Sequence, residues 1–146
     1  MVNLEIDFTQ LILAGCPIIM NKTVLVVEDE SLSRTIIMAT LKAHGLYCIE
    51  AENGKEALDL LNEVECELIL TDLRMPVMNG LDFIKVIRDG IHSPKICPDI
   101  PIIVLSAEEG EMVDAAVALG ISGYFIKKEP VDVLVPKLKE LLGLKN

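Results

Sequence analysis

Residues 24–50 read VLVVEDESLSRTIIMATLKAHGLYCIE, and this stretch decides the fold. Val24–Val27 is a short apolar run that ends on acids, the pattern of a strand buried on both faces. Residues 31–44 place apolar side chains at Leu32, Ile36, Ala39 and Ala43, a helical period, and Gly45 is the expected C-cap. Leu46–Glu50 then reads as a second strand. A strand, a helix and a strand in that order form a β-α-β unit, whose helical crossover makes the two strands parallel.

The alternation continues along the chain. Asn53 with Glu56 three residues later resembles a capping box with Asn in place of Ser or Thr, and predicts a helix through Ala57, Leu61 and Val64. Glu67–Thr71 reads as the third strand. Pro76, Asn79 and Gly80 mark a loop, from which a third helix runs to about Arg88. Residues 89–99 contain Gly90, Pro94 and Pro98 and form a longer connection to a fourth strand, Ile102–Leu105. Met112, Ala115, Ala116 and Leu119 give one face of a fourth helix ending at Gly120, and Gly123–Ile126 is the fifth strand. Leu134, Leu138, Leu141 and Leu142 form the stripe of the last helix. Pro136 fits only its first turn, so that helix should begin near Asp132. Five strands, each followed by a helix, predict an α/β fold: a five-stranded parallel sheet with helices on both faces.

Composition agrees with one domain of this kind. The chain has 146 residues, half of them hydrophobic, with three Phe, two Tyr and no Trp, so the core must be aliphatic. The net charge is −10 and no run of Lys and Arg occurs, which argues against direct nucleic-acid binding. Cys16, Cys48, Cys66 and Cys97 are scattered without a C-x-x-C pair, and are expected to be small buried thiols of a reducing compartment. His44 and His92 have no acid or cysteine at metal-ligand spacing and read as surface residues. Residues 1–21 form an N-terminal extension to a domain at 22–146. Its apolar run LILAGCPIIM at 11–20 follows Glu5 and Asp7, with no basic residue before Lys22, unlike a signal peptide. The run is too short for a bilayer and holds Gly15 and Pro17, so a soluble, cytoplasmic protein without a membrane segment is expected. The extension is expected to cover a sheet edge or mediate an interaction, and Met20 is an alternative start. No second domain fits after residue 143, so output is expected through this domain's own surface.

In open α/β sheets ligands bind beyond the C-terminal ends of the strands. There the sequence places Glu28, Asp29 and Glu30 after strand 1, Asp72 after strand 3, Ser106 after strand 4 and Lys127 after strand 5. A lone acid at such a place is usually a solvated loop residue. The joint set says more. If strands 1 and 3 are neighbours, Glu28, Asp29 and Asp72 meet within several ångströms and repel, and a divalent cation relieves that repulsion. An open, all-oxygen site favours Mg²⁺. Lys127 supplies a point charge and Ser106 a hydroxyl for the oxygens of a phosphoryl group on, or arriving at, Asp72.

VLVVEDE at 24–30, LILTDLRMPVMNG at 68–80, IIVLSA at 102–107 and GYFIKK at 123–128 resemble the signature segments of bacterial response-regulator receiver domains, over about residues 22–143. The resemblance implies the flavodoxin-like sheet order 2-1-3-4-5 known from chemotaxis receivers. It implies that Asp72 is the phosphoacceptor, that Asp29 binds Mg²⁺ directly and Glu28 through water, and that the backbone carbonyl of Arg74 is a third protein ligand. Ser106 and Lys127 would bind phosphoryl oxygens, and Tyr124 would be the aromatic switch. Met75, Pro76 and Gly80 would shape the loop after the acceptor. Arg74 and Glu108, two residues beyond Asp72 and Ser106, would tune dephosphorylation. Glu28 stands where the family more often has Asp, and Lys128 where a proline usually follows the lysine. The implied function is a phosphorylation-dependent switch, a single-domain response regulator without a DNA-binding output domain, which catalyses only its own phosphorylation and dephosphorylation. Its implied partners are a sensor histidine kinase or histidine phosphotransfer protein and a downstream protein on the face of helix 4, strand 5 and helix 5; a dimer is also compatible. An aspartyl-phosphate phosphatase would need an acid two residues after the nucleophile, where Arg74 stands. A flavin binder would present hydroxyls and amides after strand 1, not acids. A phosphorylation-independent docking module would not need the complete acid, hydroxyl and lysine set.

Overall fold

The computed structural model describes residues 22–144, so the expectations for residues 1–21, Cys16 included, lie outside the described residues. Five parallel strands, β1 (Thr23–Val27), β2 (Tyr47–Ala51), β3 (Leu68–Asp72), β4 (Ile102–Ser106) and β5 (Gly123–Ile126), form one sheet in the order β2-β1-β3-β4-β5. The helices are α1 (Ser31–Ala43), α2 (Gly54–Leu61), α3 (Gly80–Asp89), α4 (Glu111–Ala118) and α5 (Val135–Leu141), the last led in by a 3-10 turn at Val131–Leu134.

Alternate strand residues feed two cores. Leu25, Val27, Ile69, Ile102 and Val104 pack with Leu58, Leu61, Phe83, Ile84, Ile87 and Val113, which places α2, α3 and α4 on one face. Val24, Val26, Leu68, Leu70, Ile103 and Leu105 pack with Ile37, Leu41, Leu134 and Leu138, which places α1 and α5 on the other. With both faces covered, every residue of β1, β3 and β4 is buried, which is why these strands read as unbroken apolar runs. Each buried Val, Leu or Ile contributes roughly 1.5–3 kcal/mol relative to exposure. The register sets Val27 beside Thr71, Asp72 beside Leu105 and Ser106 beside Ile126, so the C-terminal ends of four strands share one edge.

Local signals performed as the chemistry demands. The Asn53 side chain accepts from the Glu56 amide at 2.9 Å, and Pro136 sits in the first turn of α5. Gly45 takes φ +80° just past α1, a left-handed conformation that costs glycine nothing.

The helical faces were less legible. α1 buries Ile37 and Leu41, while Leu32 and Ile36 are 65% and 51% exposed and Ala39 and Ala43 are exposed too. Two apolar stripes, one residue apart, coexist on this helix, and only its seat against β1, β2 and the 3-10 turn before α5 chooses between them. In α4 the buried pair is Val113 and Ala116, with Ala115 outside, and α2 ends at Leu61, leaving Val64 exposed. The cysteines differ from one another: Cys48 is buried and Cys66 half-buried, and burial pushes their thiols up to about 11 and about 12, but Cys97 is exposed, contrary to expectation. It lies on the connection between α3 and β4, whose other side chains Ile96 and Ile100 point inward. Arg88 pins that connection, donating from Nη1 to the carbonyls of Pro98 at 2.6 Å and Ile100 at 2.9 Å, and from Nη2 to that of Gly120 at 3.0 Å. His44 is exposed as expected but meets an acid distant in sequence, with Nε2 3.1 Å from Asp132 Oδ1. Among the described residues no helix is long and apolar enough to cross a membrane.

Candidate functional site

Asp72 is the last residue of β3, and its surroundings hold it in place from several directions. The Thr71 hydroxyl donates to the Asp72 carbonyl at 2.8 Å. Asp72 Oδ1 accepts from the amide of Leu73 at 2.6 Å and faces that of Arg74 at 3.4 Å. The N-terminus of α3 closes against this backbone: a Cβ at Gly80 would fall 2.1 Å from the Asp72 carbonyl oxygen and 2.8 Å from Leu73 Cα, so only glycine fits. This explains why Gly80, and no other residue, can end the loop that MPVMN begins.

Glu28 follows β1 and is 1% exposed. Its amide donates to the Ala51 carbonyl of β2 at 3.0 Å, and its Oε1 accepts from the Glu30 amide at 3.3 Å. Lys127 follows β5 and reaches across the strand ends, its Nζ 2.6 Å from Glu28 Oε2 and 2.9 Å from Asp72 Oδ2. It reaches both although Lys128, not proline, comes next. Burial raises the Glu28 carboxyl above its ordinary range; the Lys127 hydrogen bond offsets this only in part, and the charge of Asp72 adds to the rise. Burial works to lower the Lys127 ammonium, but its hydrogen bonds to Glu28 and Asp72 outweigh that and hold it above its ordinary value. Asp29 is exposed and completes the cluster: carboxylate oxygens of Glu28, Asp29 and Asp72 all lie within 4.8 Å of one another. One ammonium cannot balance three carboxylates. The set is a group that could hold a metal ion, and its all-carboxylate chemistry fits a hard divalent cation such as Mg²⁺.

The remaining predicted residues ring the cluster. The Ser106 hydroxyl donates to the Glu108 carbonyl at 2.6 Å and accepts from the Glu108 amide at 3.3 Å, so it is turned into the loop after β4 rather than toward Asp72. Arg74 Nη2 and Glu108 Oε1 approach to 3.9 Å with both side chains three-quarters exposed. Asp72, Arg74, Ser106 and Glu108 line one cleft of about 300 Å³. Tyr124 on β5 is exposed and does not line it. A residue that sequence reasoning passed over is Arg34 of α1, whose Nη1 donates to the Glu28 carbonyl at 2.7 Å and whose Nε donates to Glu50 Oε2 at 3.2 Å. Its only sequence signal was a single cation after a run of acids.

The sequence model of the response regulator receiver domain matches residues 24–139. The chain belongs to that family. A receiver from Campylobacter jejuni, described as a chemotaxis protein CheY homolog, is 40% identical over 122 residues, covering 82% of this chain and 91% of that protein. Among solved structures, the chemotaxis response regulator CheY4 of Vibrio cholerae superposes with a TM-score of 0.73 at 28% identity, covering 84% of this chain and 99% of that one. The response regulator protein TrrA of Thermotoga maritima, solved in complex with Mg²⁺-BeF, gives a TM-score of 0.72 at 31% identity, covering 82% of this chain and 98% of that one. The receiver architecture expected from the four sequence segments, strand order included, is the one observed.

Proposed function

We propose that this receiver is a phosphorylation-dependent signalling switch and that Asp72 is its phosphoacceptor. The observation that carries the reading is the convergence of Glu28, Asp29 and Asp72 within 4.8 Å, with Lys127 hydrogen-bonded to Asp72. The donor is a phosphohistidine on a sensor histidine kinase or a histidine phosphotransfer protein. A carboxylate oxygen of Asp72 attacks phosphorus in line, the phosphorus–nitrogen bond breaks, and the donor imidazole departs with the electron pair. The backbone amides of Leu73 and Arg74 aim the Asp72 carboxylate. The Lys127 ammonium balances charge on a phosphoryl oxygen, and Ser106, on leaving Glu108, donates to another. Asp29, Asp72, the Arg74 carbonyl and Glu28 would hold a Mg²⁺ ion, which would supply charge neutralisation for the transfer. TrrA, a relative in complex with Mg²⁺-BeF, supports this choice of cation.

The turn of Ser106 away from Glu108, together with movement of Tyr124, biases the surface of α4, β5 and α5 toward a downstream protein. In this reading the receiver catalyses its own phosphorylation and dephosphorylation, in the cytoplasm. Arg74 and Glu108, paired at the mouth of the cleft, set how fast water reaches the acyl phosphate. Incubation with acetyl phosphate and Mg²⁺ followed by intact mass tests the core of the reading. The wild type should gain one phosphoryl group; Asp72→Ala, Asp29→Ala and wild type in EDTA should gain none. Labelling of Asp72→Ala, or none in the wild type, would overturn it.

A further inference from the structure

Arg34 contacts none of the side chains that would meet the phosphoryl group, yet it is tied down on three sides. Its side chain is 11% exposed, Nη1 donates to the Glu28 carbonyl at 2.7 Å, Nε donates to Glu50 Oε2 at 3.2 Å, and Nη2 lies 3.7 Å from Glu52 Oε1. A guanidinium so withdrawn from water requires such acceptors, and its planar fork serves several at once. The consequence falls on the acidic loop. The Glu28 residue is gripped at both backbone groups, its N–H by the Ala51 carbonyl at 3.0 Å and its C=O by Arg34. The peptide unit is planar, so fixing the Glu28 carbonyl oxygen also fixes the amide nitrogen and Cα of Asp29. Asp29 is exposed, and its carboxylate takes its place in the cluster through that backbone.

We propose that Arg34 is a positioning residue for the cation site: it holds the Glu28–Asp29 peptide in the orientation that brings both carboxylates onto Asp72. The proposal rests on the reading of these acids as the Mg²⁺ site. Charge and position predict opposite signs here. A guanidinium beside the cluster repels a divalent cation, so by charge alone its removal tightens binding. Glu50 and Glu52 offset that charge, which leaves the hydrogen bond to Glu28 as the dominant influence, so its removal weakens binding. Partners that orient metal ligands from outside typically account for 10–100-fold in affinity.

The test is a Mg²⁺ titration of the full chain by isothermal calorimetry, with thermal melts to establish the folded fraction. Arg34→Ala should raise the Mg²⁺ Kd about tenfold or more. Arg34→Lys, which keeps the charge but cannot serve the Glu28 carbonyl and Glu50 together, should give an intermediate constant, and it carries the test if the alanine variant does not fold. A Kd equal to or below that of the wild type in the folded variants overturns the proposal. If the wild type takes up no Mg²⁺, or Asp29→Ala binds it equally well, the cation-site reading falls and this proposal with it. Normal wild-type binding with unchanged Arg34 variants removes the positioning role alone.

Discussion

Replacing Lys127 with methionine keeps most of the side-chain length but removes the ammonium that separates Glu28 from Asp72. The wild-type distances are 2.6 Å and 2.9 Å, and Glu28 is 1% exposed, so the variant leaves a buried carboxylate facing a second one with no counter-charge. Breaking a fully buried pair in this way costs about 3–5 kcal/mol. The Lys127 side chain is 26% exposed, which admits water and lowers the expected loss to about 2–3 kcal/mol. For a domain of this size that is roughly 10 °C in melting temperature without divalent ions. Two further signs follow. Mg²⁺ should stabilise the variant more than the wild type, because the ion no longer competes with the ammonium. The Glu28 carboxyl already lies above its ordinary 4.5 in the fold, so the folded chain takes up this proton more readily than the unfolded one. Acidification through the folded value therefore adds stability, and the gain is complete below the unfolded value. Loss of Lys127 removes an influence that lowers the Glu28 pKa, so the gap between variant and wild type should narrow between a neutral and a mildly acid pH. Thermal unfolding in EDTA and in Mg²⁺ at the two pH values is the assay. A melting shift under about 2 °C in EDTA, or a gap that widens on acidification, would refute the view of Lys127 as the resident cation of this site.

Other outcomes are expected around the same edge of the sheet. Arg74→Ala should speed loss of the phosphoryl mass by removing a shield at the cleft, while an exposed pair worth about 0–1 kcal/mol leaves the melting temperature nearly unchanged; equal decay rates would show that Arg74 merely faces solvent. Gly80→Ala should cost about 3 kcal/mol or more in urea unfolding and reduce labelling by acetyl phosphate, since its Cβ would fall 2.1 Å from the Asp72 carbonyl oxygen; a variant as stable as wild type contradicts that packing. Val77→Gly should stabilise by about 0.5–1 kcal/mol: Val77 has φ +66°, a strained conformation for a β-branched residue, and at 79% exposure it buries little in return, so relief of strain exceeds the added freedom of glycine when unfolded. A lower urea midpoint for Val77→Gly would contradict that balance.

The alternation of apolar runs and helical periods, with their punctuation, was enough to predict a five-stranded parallel sheet covered on both faces, while its strand order followed from the resemblance to receiver domains. Val24–Val27 and Ile102–Leu105 read as strands because burial on both faces leaves no polar position, and Asn53 with Glu56 marked a helix start because that chemistry is local. The site residues were legible for a related reason. Glu28, Asp72, Ser106 and Lys127 each stand at the C-terminal end of a strand, and a parallel sheet has all those ends at one edge. What the sequence determined by itself is thus what depends on neighbours along the chain and on the shared direction of the strands. Only the tertiary structure decided the rest. It chose the Ile37–Leu41 stripe of α1 over Leu32–Ile36, placed Lys127 between two acids, and set Arg34 against the Glu28 carbonyl and Glu50. These depend on distances between groups as many as 99 residues apart in sequence, as Lys127 and Glu28 are. No local period encodes them, because their energies are differences between competing partners that exist only once the sheet has brought them together.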